Sequence, residues 1–339
     1  MPPLALILGC IGLSLSLDEK AFFRDASPWG FILFRRNIGT PSEVRALTAE
    51  LRETVGRDAP VLVDQEGGRV QRLTMPHWPK YPAARRFSEV HANDPVTRRE
   101  VTRLAARLMA HDLLAVGINV DCLPVLDVPV PGAHDVIGDR AYGLDAATVG
   151  TLGRAAAEGL MAGGVLPVMK HVPGHGRAGV DSHLSLPVVE AAKADLEAVD
   201  FLPFRMLADM PAAMTAHVVY TALDKSSPAT TSRGVIRHVI RGTIGYDGLL
   251  MSDDLSMQAL SGTMFQRATD AFAAGCDLGL HCNGKMEEMS CVVAAAPRLT
   301  GKARRRADAA LARIRHLPEP IDVEEARARL TAVMAQGTA

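Results

Sequence analysis

Eight short apolar runs recur along the chain, and their number and spacing constrain the fold more than any single motif. They are Leu4–Ile11, Gly30–Phe34, Pro60–Val63, Gly117–Leu123, Val165–Lys170, Ala213–Val218, Gly248–Ser252 and Asp277–His281. Most lack alternation of apolar and polar residues, as strands buried on both faces do. Between them, apolar residues recur at helical spacing in Pro41–Val55, Pro95–Ala115, Ala146–Ala162, Ala191–Met206 and Met264–Ala274. Thr40, Asp94 and Asp145 stand where N-caps belong, two of them ahead of a proline. Eight βα units in 339 residues predict an α/β fold, a (β/α)8 barrel of the TIM type. A doubly wound open sheet would need a glycine-rich dinucleotide turn after the first strand, and Gly9-Cys10-Ile11-Gly12 does not supply one. Two more helices, about Lys302–Ile314 and Val323–Ala335, follow the last strand. No linker or internal repeat interrupts the pattern, so residues 1–339 are expected to form one barrel domain with extra helices at about 302–335.

Composition narrows the partners. The formal net charge is −1, so no global field favours nucleic acid or an acidic membrane. The one basic run, Lys302–Arg306, reads as the solvated face of a late helix. Five cysteines, an odd count without a CxxC, sit mostly in apolar runs. They read as buried thiols in a reducing, cytoplasmic compartment. The apolar start, MPPLALILGCIGLSLSL, has no basic residue ahead of it and is short for a membrane span. A first buried strand is the expectation there.

In a (β/α)8 barrel the working face lies at the C-terminal ends of the strands. Polar residues gather at those positions. The second strand ends in Phe34-Arg35-Arg36-Asn37, and the third in VDQEGGRVQRL with Asp64, Glu66, Arg69 and Arg72. The fourth region brings Asp121, Asp127 and Arg140, the fifth Lys170-His171, the sixth His217, the seventh Asp253-Asp254 and the eighth His281-Cys282-Asn283. Charges at buried strand ends are costly unless paired or used, so a ring of them marks a pocket. Consecutive strand residues point to opposite sides, so only one of Asp253 and Asp254 can face its centre. The other is free to cap the following helix or hold a neighbouring backbone group. The pocket aspartate suits a nucleophile, a base or a metal ligand.

The stretch KHVPGHGRAGVDSHLSLP, residues 170–187, carries the densest chemistry. Asp181 and His183 are two apart, which puts both side chains on one side of an extended segment. A carboxylate beside an imidazole fixes its tautomer and favours the protonated ring, giving a general acid that becomes a base. The same pair could simply pin the loop. Gly174, Gly176 and Gly179 indicate a loop that moves or bends sharply. His175 is open between a pocket contact and a pin. A metal-dependent amidohydrolase barrel would also use strand-end His, Lys and Asp, but its H-x-H after the first strand and the H-E-x-x-H pattern are both absent.

Taken together, KHVPGHGRAGVDSH, VDQEGGRVQRL, INVDCLPVLDV, IGDRAYG, MTAHVVY and MSDDLSM resemble glycoside hydrolase family 3. More narrowly, they are similar to its bacterial cytoplasmic β-N-acetylglucosaminidases of peptidoglycan recycling. The likeness runs in order from about Leu8 to Asn283. The resemblance implies a retaining hydrolase that needs no metal or cofactor. On matching positions, Asp253 would be the nucleophile and His183 the acid/base in a dyad with Asp181. Asp64, Arg72, Arg140, Lys170 and His171 would bind substrate. That substrate would be N-acetylglucosamine β-1,4-linked to 1,6-anhydro-N-acetylmuramic acid, a muropeptide fragment. No nucleic acid or membrane partner is implied, and a monomer or weak homodimer is expected. Two departures stand out: a very apolar first strand, and His281 where the family pattern usually has an aliphatic residue.

Overall fold

The structure, a computed structural model, describes residues 1–91, 93–182 and 184–336. Eight parallel strands close a barrel: β1 (Leu4–Gly9), β2 (Pro28–Leu33), β3 (Val61–Val63), β4 (Val120–Asp121), β5 (Leu166–Val172), β6 (Ala212–Thr215), β7 (Leu249–Asp254) and β8 (Leu278–His281). Each strand pairs with its neighbours in sequence, and β8 pairs with β1 through Leu6↔Gly279, Ile7↔Leu280 and Leu8↔His281. The expected (β/α)8 barrel is therefore the fold.

The absence of alternation follows from two apolar layers. Ala5 and Ile7 of β1 point inward to join Ile32, Leu62, Val120, Leu166, Val168, Met214, Met251 and Leu280 in the barrel interior. Leu6 and Leu8 point outward to the helices, where they meet Phe23, Phe31, Leu47 and Leu51. Every side of the strand is dry, so every position is apolar.

Several helices match the sequence residue for residue, including Pro41–Val55, Ala146–Ala162 and Met264–Ala274. Thr40 caps Pro41–Val55 in a capping box with Glu43. Asp94 and Asp145 also accept first-turn N–H groups. The expected helix over Ala191–Met206 is broken into Lys193–Asp195, a wider turn at Leu196–Asp200, and Leu202–Met206. Pro203, which has no N–H to give, sits in the first turn of the last piece, where a proline is tolerated. The helix Leu17–Ala26 was not expected from the sequence, although Ser16 and Glu19 form a capping box that announces it.

The helix Gly301–Ala312 is placed by the same packing logic. Its Ala307 and Ala310 join the inner apolar layer below Leu299. The basic run is therefore not uniformly solvated, as the sequence had implied. Lys302, Arg304 and Arg305 are exposed, but Arg306 is drawn inward by Asp277 at 3.0 Å and by Asp247. Asp277 in turn binds Arg241 at 2.8 Å and accepts the Leu250 N–H of β7 at 3.0 Å. Removing Arg306 leaves the buried Asp277 short of a partner, whereas Arg304 makes only an exposed i,i+4 pair with Asp308. Arg306→Ala should therefore lower the unfolding free energy by about 2–3 kcal/mol, and Arg304→Ala by at most about 0.5 kcal/mol, in urea titrations of both variants.

Candidate active site

The C-terminal ends of the strands enclose a cavity of about 140 Å³. Ile32, Met214, Leu280 and Cys282 give it apolar surface, Asp64, Glu66, Arg72, Arg140, Lys170 and Asp253 give it charge, and His171 and His175 add two imidazoles. Six of the residues singled out from sequence thus converge here: Asp64, Arg72, Arg140, Lys170, His171 and Asp253. Ser182 also lines the cavity. Asp181 sits beside it on the loop, partly buried, its carbonyl accepting from the Leu184 and Ser185 N–H groups at 3.0 and 3.1 Å. His183 lies outside the described residues.

The cations do not stand free in the cavity. Lys170 ends β5 with its ammonium 2.8 Å from Asp64 and 2.7 Å from Glu66. Arg72 donates to the other oxygen of Asp64 at 2.9 Å. Arg140 grips Glu66 with both arms of its guanidinium, at 2.8 and 2.9 Å. Burial works against ionisation of both carboxylates, but Lys170 and Arg72 hold Asp64 well below the usual range, and Arg140 and Lys170 hold Glu66 below it. The same carboxylates overcome burial and raise Lys170 and Arg140. Two anions and three cations form one fixed lattice with a single excess positive charge, facing the cavity. Phe34 lies under it, between the guanidinium carbons of Arg36 and Arg72 at 5.2 and 5.3 Å from the ring centroid.

A second set surrounds Asp127, which is fully buried. One of its oxygens accepts His171 Nδ1–H at 2.7 Å. The other accepts the His175 backbone N–H at 2.6 Å and that of His171 at 3.2 Å. Burial raises its carboxyl, but His171 and His175 overcome this and bring it down to about 2. With Nδ1–H committed to Asp127, His171 turns Nε2 towards other partners. The two imidazoles meet edge to face, their centroids 5.6 Å apart.

Asp253 and Asp254 end β7 and divide as strand geometry requires. Asp254 is spent on the backbone: one oxygen accepts the N–H groups of Ser256 and Cys282 at 3.0 and 3.1 Å, the other the Ser256 hydroxyl at 2.6 Å. Asp253 accepts only the Asp254 N–H at 2.8 Å among the hydrogen bonds described, and borders the cavity. Burial opposes its charge, but His217, His171, the Asp254 N–H and Lys170 outweigh this and lower it. Among the described residues it is an ionised carboxylate with one oxygen free of hydrogen bonds. Below it, His217 Nε2–H donates to the Asp254 carbonyl at 3.0 Å, and Nδ1 meets the Thr230 hydroxyl at 2.7 Å.

The loop after β5 bends rather than swings at two of its three glycines. Gly174 has φ +136° and lies against Asp200, and a Cβ on Gly176 would sit 2.0 Å from the Val128 carbonyl oxygen. Only Gly179 stands in open space. His281 does not enter the cavity wall; it is buried and meets Glu288 at 3.3 Å. Not every strand-end carboxylate serves the cavity either. Asp121 accepts the Gln65 N–H at 2.9 Å, and burial pushes its carboxyl well up. Among the described residues, no three His, Cys, Asp or Glu side chains are grouped to hold a metal ion.

Sequence reasoning undervalued Glu66, Asp127, His217 and Ser182. Each lies within a quoted motif, but each acts by binding a neighbour rather than by unusual chemistry, and only contact reveals that.

The site is a buried lattice of carboxylates and cations beside apolar wall, and comparison with known proteins gives its class. The model of the glycosyl hydrolase family 3 N-terminal domain matches residues 11–317. The chain belongs to this family. It is similar to the beta-hexosaminidase of Alkalilimnicola ehrlichii, 38% identical over 326 residues that cover 95% of this chain and 86% of the relative. The beta-hexosaminidase of Bordetella avium is 37% identical over 287 residues, covering 84% and 81%. Among solved structures, NagZ of Neisseria gonorrhoeae in complex with N-trifluoroacetyl-D-glucosamine superposes with a TM-score of 0.87, at 30% identity, over 98% of this chain and 99% of that one.

Burial pushes His175 down to about 4, with His171 adding to the effect and Asp127 opposing it. A ring held neutral in this way gives stability that is full above its ordinary value of 6.5 and is lost as pH falls through about 4. Urea titrations from pH 7 to 4 should show the unfolding free energy falling, and His175→Gln should flatten that fall by on the order of 3 kcal/mol.

Proposed function

We propose that the protein is a retaining exo-β-N-acetylglucosaminidase that releases N-acetylglucosamine from GlcNAc-β-1,4-(1,6-anhydro)MurNAc and its peptides. The observation that carries this reading is Asp253: an ionised, buried carboxylate at the end of β7, beside the Asp64–Lys170–Glu66 lattice. In the first step Asp253 attacks the anomeric carbon while the acid/base protonates the departing oxygen, and a covalent glycosyl-enzyme forms. In the second, the same group takes a proton from water, the water oxygen replaces Asp253, and configuration is retained. His183, paired with Asp181, takes the acid/base role by the family motif. Asp64, Arg72, Arg140, Lys170 and His171 hold the sugar. The small cavity suits one terminal ring, which supports exo action.

The engagement of Asp254 supports direct attack over participation by the 2-acetamido oxygen. That route needs a second carboxylate to orient the acetamido group, and both oxygens of Asp254 are committed to Ser256 and Cys282. We place the enzyme in the cytoplasm, as one barrel domain acting on soluble muropeptide fragments. All five cysteines are unpaired, four of them buried, and no helix among the described residues is long and apolar enough to cross a membrane.

A chromogenic β-N-acetylglucosaminide should be hydrolysed at the same rate with and without chelator. His183→Ala should lose on the order of 10²–10⁴ in kcat. Asp253→Ala should lose turnover with the fold intact. A 2-fluoro glycoside should leave a mass adduct on the Asp253 peptide. No adduct, together with strong inhibition by a thiazoline, would overturn the proposal.

A further inference from the structure

His175 is a buried titratable group with no part in the chemistry described above, and Ser182 is a buried hydroxyl between the two residues of the proposed acid/base dyad. They are partners. His175 Nε2 meets Ser182 Oγ at 3.1 Å, and the two are 3% exposed each. His175 Nδ1 has no partner among the described residues. An imidazole nitrogen without a donor to meet is tolerable, whereas a buried N–H without an acceptor is costly, so the proton belongs on Nε2 and is donated to the serine oxygen.

Both ends of this contact are anchored. The His175 backbone N–H is held by Asp127, the same carboxylate that orients the His171 ring. The Tyr220 hydroxyl donates to the carbonyl of Gly174 just before it at 2.6 Å. On the other side, the Ser182 carbonyl accepts the Ala259 N–H at 3.2 Å, and Ala259 follows β7 and Asp253 by a short loop. Ser182 is thus stapled by its side chain to the end of β5 and by its backbone to the loop beyond the nucleophile's strand. Around it the loop surface is loose: Val180, Leu184 and Leu186 are all exposed. The serine is the inward-pointing residue of an outward-facing segment.

We propose that Ser182 and His175 are positioning residues of the reaction, and that the bond between them ties the Asp181–Ser182 segment of the loop to the turn after β5, on which proton delivery depends. This rests on the reading of Asp181 and His183 as the acid/base dyad. The anchor matters when the leaving oxygen needs a proton and matters little when it does not. A group held too loosely by about 1 Å loses on the order of 10²-fold in proton delivery.

The test measures kcat/KM for β-N-acetylglucosaminides with a dinitrophenyl and with an alkyl leaving group, in the full-length protein. Ser182→Ala should fall about 10- to 100-fold on the alkyl glycoside and only a few-fold on the dinitrophenyl one. Ser182→Thr, which keeps the hydroxyl, should recover most of the loss. His175→Phe, which keeps a ring but no donor, should resemble Ser182→Ala, and the double variant should be no worse than either single one, as expected for two ends of one contact. Equal losses on both leaving groups, or additive losses in the double variant, would sink the proposal. Asp181→Asn serves as the reference. If it shows strong leaving-group dependence and Ser182→Ala does not, the anchor is wrong and the dyad stands. If Asp181→Asn shows none, the dyad reading fails and the anchor fails with it.

Discussion

Lys170 is the interaction on which the rest of the site depends. Its ammonium is nearly fully buried between two carboxylates that come from one short stretch after β3. Without it, Arg72 and Arg140 would still pair with one carboxylate each, but Asp64 and Glu66 would lose the cation that joins the two pairs. With it, Glu66 holds Arg140 from the loop after β4, and Asp64 holds Arg72 from beyond the hairpin Gln65–Gly67 and Val70–Gln71. Three loops are tied into one surface by a single side chain. Such ion clusters gain little net stability over an apolar core, so their value lies in fixing geometry. For a glycosidase that is the useful quantity: donors that are already oriented cost nothing to reorganise when substrate arrives.

The same economy appears around β5. Asp127 orients His171 through one oxygen and the turn to His175 through the other, so a cavity-lining ring and the loop after β5 share one anchor. Asp254 does the corresponding work on β7, joining Ser256 to Cys282 just after β8, while its neighbour Asp253 accepts only the Asp254 N–H among the hydrogen bonds described. In both places one carboxylate is used up on structure so that another group beside it can be left free for chemistry.

This division explains what the sequence could and could not reveal. The barrel was legible because two dry layers impose an unbroken apolar pattern, as in β1, where Ile7 and Leu8 face opposite cores. The cavity was legible because charge at a buried strand end has few excuses. The two-residue period anticipated the different roles of Asp253 and Asp254, with Asp254 spent on Ser256 and Cys282, although both border the cavity. The partners of the lattice were not legible: nothing in VDQEGGRVQRL tells which of Asp64 and Glu66 meets Arg72 and which Arg140. The glycines of the β5 loop misled in the same way. A Gly required by a close approach, as Gly176 is by Val128, looks in sequence like a Gly required for motion. Arg306 is indistinguishable in sequence from its exposed neighbours until Asp277 is brought beneath it.

The seam between β1 and β8 has a consequence for how the enzyme comes into being. Leu8 pairs with His281, and the next residue, Cys282, forms cavity wall beside Phe34 from the start of the chain. Arg36 reaches across the seam to the carbonyls of Cys10 and Cys282. The earliest and the latest strands therefore meet inside the binding pocket itself. A ribosome-bound chain can form most of its βα units while holding only an open trough, and the cavity is completed by contacts of very high sequence separation, such as Arg36 to Cys282, which are slow to find. Closure of the barrel and birth of the pocket are the same event, so a chain that fails to close is inactive rather than a leaky hydrolase.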